Sequence, residues 1–193
     1  MLHKLSIYLT NKLLNGETID EDDYEIYIYG WSMLLSTAAS VIAVLILALI
    51  FGQFIGTLLF MICFLSLRAY AGGYHANSYL GCFLTMIGIY LAALLIQLKT
   101  PQVYLTIIIT FLLLISTVVI FIRAPQDHPN RPIEGEERVI FTRRSRFIIV
   151  SQVIIICGLL YLNYFLQYLW WATIGIVFAS LSLLLSNWRN ITN

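Results

Sequence analysis

The sequence predicts an all-α, polytopic integral membrane protein of about six transmembrane helices, preceded by an N-terminal amphipathic interfacial helix. Three observations lead there. The 193 residues are 60% hydrophobic and only 11% charged, against about 25% charged residues in a soluble domain. The mean hydropathy is +0.87. A chain this apolar cannot cover its own core with polar surface, so its solvent is a bilayer. The charges are also segregated. Every acid lies in residues 17–25 or 127–137, and six of the eleven Lys and Arg residues lie in 123–146.

Residues 1–15 form the first element. Leu2, Leu5, Leu9 and Leu13 recur on one helical face, with Lys4, Asn11 and Lys12 elsewhere on the wheel. Such a helix lies in the interface or packs on the protein's own cytoplasmic face, and the pattern fits both. Thr18-Ile-Asp-Glu21 fits a capping box for the next helix. The acidic cluster around it suits the positive end of that helix. Tyr24, Tyr27, Tyr29 and Trp31 follow as an interfacial aromatic belt. The first apolar run follows acids rather than a short basic segment, so no cleavable signal peptide is expected.

Ile26 to Leu67 contains no Lys, Arg, Asp or Glu. Crossing the hydrocarbon takes about 20 residues, so this run holds two spans, near 33–51 and 54–67, with a turn at Gly52-Gln53. Spans at about 79–98 and 103–122 follow, separated by the Pro101 turn. Residues 123–146 are the substantial polar loop, Pro-rich at first and then able to form a basic amphipathic helix along the membrane. Residues 147–187 carry no formal charge. As one helix they would run about 60 Å, so a hairpin is expected, with spans near 147–163 and 169–187. Trp170 and Trp171 are placed at an interface. The chain reads as a single membrane domain, residues 1–30 forming its cytoplasmic and interfacial N-terminal region. The positive-inside rule puts the 123–146 loop in the cytoplasm. Counting spans puts residues 68–78 and both termini there too.

Between two of the apolar runs lies Arg68-Ala-Tyr-Ala-Gly-Gly-Tyr-His75-Ala-Asn-Ser-Tyr-Leu-Gly-Cys82. Ionisable residues at the membrane edge are costly and point to function. A cysteine reacts as the thiolate, and an imidazole supplies the base or the stabilising cation. On one helix His75 and Cys82 would lie about 10.5 Å apart along the axis, too far for a hydrogen bond. Pairing them requires residues 72–78 to fold back, with Gly72-Gly73 and Asn77-Ser78 supplying the freedom. Were Ser78 to cap the following helix, Cys82 would sit in its first turn, where the positive end lowers a thiol pKa. Spacing alone leaves a second reading open: a loop histidine and a small packing cysteine. Cys63 and Cys157 lie within apolar runs at no metal or redox spacing and read as packing residues.

The 68–82 segment resembles the signature of the AgrB (accessory gene regulator B) family, bacterial membrane cysteine peptidases that process quorum-sensing propeptides. Ala124-Pro-Gln-Asp-His-Pro-Asn-Arg-Pro132 resembles that family's second motif. The resemblance implies His75 and Cys82 as the catalytic pair and an AgrD-like propeptide as substrate. Arg68, Gly72, Gly73 and Asn77 are candidates for substrate or oxyanion contacts. Arg123, Arg131, Arg143, Arg144 and Arg146 are candidates for binding an acidic substrate tail. Asp127 or Asn77 could orient His75. The implied mechanism is cleavage through an acyl-thioester on Cys82, followed by closure of a thiolactone or lactone ring. It implies a bacterial cell membrane location; no cofactor is expected, and the cysteine spacing argues for no metal site. The bilayer is the expected environment, a homodimer is one expected assembly, and no basic domain suggests nucleic acid. A peptide exporter without covalent chemistry is the alternative, and a membrane scaffold is a third reading.

Overall fold

A computed structural model describes the chain except residues 1, 17–18, 73–78, 127–134, 163–164 and 193. The side chains of 2, 22, 33, 79, 82 and 186–192 are likewise outside the description. The described chain is helical throughout, with no strand among the described residues. The elements are α1 (Leu2–Asn15), α2 (Tyr24–Ile50), α3 (Phe54–Ala71), α4 (Tyr79–Lys99), α5 (Gln102–Arg123), α6 (Gly135–Tyr161) and α7 (Leu166–Thr192). A short 3-10 turn, Glu21–Asp23, leads into α2. The protein is an all-α, multi-pass membrane protein. Helices α2, α3, α5, α6 and the Leu166–Leu185 part of α7 are long and apolar enough to cross a bilayer, and Phe83–Lys99 of α4 is a shorter apolar segment. At 18 residues, α3 spans about 27 Å, close to the hydrocarbon thickness.

Helix α7 is the centre of the bundle. Every residue from Leu169 to Ile176 is buried, so two turns are enclosed on all faces. Lipid tails are as apolar as leucine, so helices associate in a bilayer through close packing rather than through escape from water. Small residues make that packing tight here. A Cβ at Gly175 would overlap the Phe60 carbonyl, and one at Gly56 would overlap the Trp171 ring. Around these contacts the rings of Phe64 and Phe178 stack at 4.7 Å, and those of Tyr90 and Trp171 at 4.9 Å.

The Trp pair differs from the sequence expectation. Trp170 and Trp171 are 1% and 0% exposed, so they point into the bundle rather than forming an outer belt. Trp170 Nε1 donates to the Ala93 carbonyl at 3.1 Å, and Trp171 Nε1 donates to Gln53 Oε1 at 3.2 Å. Buried indoles need such acceptors. The turns at Gln53, Lys99 and Gln167 mark one end of the bundle, since Gln97 Nε2 also reaches the Gln167 carbonyl, at 3.4 Å.

Helix α1 folds back along α2 as an antiparallel hairpin. Ser32 Oγ donates to Ser6 Oγ at 2.8 Å, and Tyr24 Oη donates to Asn11 Oδ1 at 2.8 Å. Its buried face is Ser6 and Thr10, while Leu5 and Tyr8 stay exposed. Helix α1 thus packs against α2 through Ser6 and Asn11. The capping box falls on Thr18, outside the described residues. Asp20 precedes the 3-10 turn with an extended backbone, and its side chain makes no capping hydrogen bond. Helix α6 starts at Gly135 and runs unbroken into the apolar segment. Residues 135–146 are therefore its first turns rather than a separate helix.

Packing at Gly175 sets a test. Gly175→Val forces the Phe60 backbone to move, and overpacking of this kind costs about 1–3 kcal/mol. The thermal midpoint in detergent is expected to fall for this variant. Gly158→Ala, where nothing lies within 4 Å of the added carbon, is expected to leave the midpoint unchanged or higher.

Candidate functional site

The last turn of α3 carries Arg68, Tyr70 and Ala71, and Gly72 closes it. The Gly72 N–H donates to the Arg68 carbonyl at 3.3 Å. Its backbone sits at φ +72°, ψ −145°, a region that only glycine enters readily. Space makes the same demand, because a Cβ at Gly72 would overlap the Gln126 carbonyl. The close approach exists because the Gln126 N–H donates to the Ala71 carbonyl at 3.0 Å. Ala71, Ala124 and Pro125 are buried around this bond, and the Ala124–Pro125 peptide is cis. The chain leaving α5 therefore lies across the end of α3. Ala71-Gly72 belongs to the first sequence motif and Ala124–Gln126 to the second, and they meet here.

Helix α4 begins at Tyr79, so the backbone of Cys82 falls in its first turn. The helix dipole makes that turn positive, which favours a thiolate. The Cys82 side chain lies outside the described residues, as do Gly73, His75, Asn77, Asp127, His128 and Arg131. The fold-back of residues 72–78 is likewise outside them. Cys63 is buried on α3 and Cys157 is exposed on α6, both as free thiols.

The described arginines cluster at this end of the bundle. Arg68 lies in the last turn of α3 with its guanidinium carbon 5.6 Å from the Phe64 ring centroid. Arg123 lies in the last turn of α5, where a cation complements the helix dipole. On α6, Arg144 lies 5.3 Å from the Tyr70 ring centroid and Arg146 lies 5.7 Å from that of Phe121. Successive helical residues are rotated by about 100°. Arg144 and Arg146 therefore flank the buried Ser145 on opposite sides, one over α3 and the other over α5. Arg143 is exposed on the far face. The cluster can attract an anionic peptide segment.

Sequence reasoning gave no role to Tyr70, Phe141 or Gln126. Tyr70 meets Phe141 edge-on at 5.8 Å and receives Arg144, 74 positions away. A contact between such distant residues leaves no spacing signal. Gln126 lies inside a quoted motif, yet its backbone bond and the unpartnered, buried Oε1 of its side chain have no mark in one sequence.

Comparison with known proteins places these features. The family model for Accessory gene regulator B matches residues 6–183. The accessory gene regulator protein B of Staphylococcus aureus (strain MRSA252) is 29% identical over 155 residues, covering 80% of this chain and 79% of that protein. An AgrB-like protein of Clostridium perfringens (strain 13) is 29% identical over 145 residues, covering 72% of this chain and 67% of its own length. FsrB of Enterococcus faecalis is 30% identical over 132 residues, covering 68% of this chain and 53% of FsrB. No solved structure matches the chain. With the family model matching nearly its whole length, the chain belongs to the accessory gene regulator B family.

Proposed function

We propose that this protein is a membrane cysteine peptidase that cuts the C-terminal tail from an AgrD-like propeptide and enables cyclisation of the signal peptide. The observation that carries the reading is the bond between Gln126 and Ala71. It supports a composite site because it brings parts of both motif segments together, beside a cluster of arginines. The start of α4 at Tyr79 supports Cys82 as nucleophile, since the first turn of a helix favours a thiolate.

In this reading His75 takes the thiol proton, and the Cys82 sulfur attacks the carbonyl joining signal and tail. The carbon–nitrogen bond breaks, the imidazolium gives its proton to the departing tail amine, and an acyl-thioester remains. A Cys or Ser of the substrate then attacks that carbonyl, loses its proton to His75, and releases Cys82 as a ring closes. A site at the membrane edge keeps water from the thioester. Arg68, the amides at Gly72 and Gly73, and Asn77 serve substrate or oxyanion binding. Arg123, Arg131, Arg143, Arg144 and Arg146 receive an acidic tail. No metal or cofactor takes part. The arginine-rich end faces the cytoplasm of a bacterium with both termini, following the positive-inside rule. Two copies form the working unit in a homodimer version of the reading.

Co-expression with an epitope-tagged AgrD-type propeptide tests the chemistry. Cys82→Ser and His75→Ala are each expected to abolish cleavage while the protein stays in the membrane fraction; persistent cleavage in either variant contradicts the dyad. Gly72→Ala tests the crossing of the two motifs. Forcing a side chain into that backbone region costs about 1–3 kcal/mol and displaces Gln126. Cleavage is expected to fall about tenfold or more, as roughly 1.4 kcal/mol in a barrier is tenfold in rate. A wild-type rate in Gly72→Ala would show that this junction does not shape the site.

A further inference from the structure

We propose that Arg144, held by Tyr70, is a carboxylate-binding subsite for the acidic segment of the peptide substrate. The inference rests on the peptidase reading and deepens it, because it selects one arginine and names the residue that positions it.

The guanidinium carbon of Arg144 lies 5.3 Å from the Tyr70 ring centroid, within the range of a cation–π contact. Arg144 Nη1 also donates to Tyr70 Oη at 3.5 Å. Tyr70 is itself fixed edge-on against Phe141 at 5.8 Å, with rings 89° apart. One turn away on α6 the neighbours of Arg144 are Ile140, Phe141, Phe147 and Ile148. None can form an intrahelical ion pair with it. Among the described residues no carboxylate pairs with Arg144. A guanidinium held against a ring keeps planar N–H donors that match a carboxylate in bidentate geometry. Holding the group in place beforehand also lowers the ordering cost of capture.

Location argues for a peptide rather than a lipid headgroup. Tyr70 is two residues before Gly72, and the Gln126 N–H bonds to the adjacent Ala71 carbonyl. Arg144 thus rests on a residue next to the junction of the two motifs, whereas Arg143, two positions from the buried Ser145, is exposed on the opposite face of α6. A peptide bound at this end of the bundle can lay an acidic side chain on Arg144.

The test uses full-length protein carrying Cys82→Ser, in nanodiscs of phosphatidylcholine alone. The probes are a fluorescein-labelled peptide of alternating Glu and Leu and its Gln-for-Glu counterpart, read by anisotropy. The parent protein is expected to prefer the Glu peptide. Arg144→Gln is expected to reduce that preference about fivefold, the worth of one exposed ionic contact, without changing affinity for the Gln peptide. Arg144→Lys retains only part of it. Tyr70→Leu lowers it with the charge still present, and Tyr70→Phe, which keeps the ring, retains most of it. An undiminished preference in Arg144→Gln overturns the proposal. So does an Arg144 effect confined to vesicles containing phosphatidylglycerol, which would assign the residue to headgroups. Because anisotropy reads binding and not cleavage, these outcomes are distinguishable from failure of the peptidase reading, which the propeptide cleavage assay tests separately.

Discussion

One main-chain hydrogen bond, from the Gln126 N–H to the Ala71 carbonyl, fixes the relation between the two distinctive parts of this chain. Each part is short, polar and attached to the end of an apolar helix. Nothing in the helices themselves would draw them together. The bond succeeds because Gly72 has no side chain and accepts φ +72°, so that backbone meets backbone. The buried Ala124 and Pro125 exclude water around it, and an excluded amide that lost its partner would carry a desolvation cost of about 1–3 kcal/mol.

The bundle beneath serves as a rigid footing for that junction. Helix α7 fills its centre, and α3 approaches closely where Gly175 meets the Phe60 backbone. Several polar side chains within the spans are paired across helices. Thr57 Oγ1 and Tyr90 Oη share a hydrogen bond at 2.9 Å, Ser180 Oγ donates to Ser116 Oγ at 3.2 Å, and Gln152 Nε2 donates to Ser66 Oγ at 2.9 Å. In a solvent without hydrogen-bonding capacity such pairs satisfy the groups that lipid cannot. They join α3 to α4, α5 to α7 and α3 to α6, which fixes the end of α3 relative to the helices around it.

The sequence makes the helices legible because hydropathy measures directly what a bilayer requires. The turns at Gly52 and Pro101 were readable for the same reason. Facing was harder to read. Trp170 and Trp171 look like belt residues in composition, yet each finds an acceptor inside the bundle and turns inward. In α1 the leucine stripe marks the apolar face, but the smaller Ser6 and Thr10 let α2 approach and leave Leu5 outside. At the candidate site, residue types and local order were readable in the 68–82 segment. The crossing of Gly72 by Gln126 and the seating of Arg144 on Tyr70 were not. Both join residues far apart in the chain, and pairings of that kind leave no period or spacing behind.

The central claim is covalent: Cys82 carries the peptide between cleavage and ring closure. Its most direct measurement is intact-protein mass spectrometry after incubation with an AgrD-type propeptide whose ring-forming residue is replaced by Ala. Without an internal nucleophile the acyl-enzyme accumulates. The expected result is an added mass equal to the propeptide without its tail, mapped to Cys82, sensitive to hydroxylamine and absent from His75→Ala. A tail released with no adduct at Cys82, or an adduct on Cys63 or Cys157 instead, would contradict it.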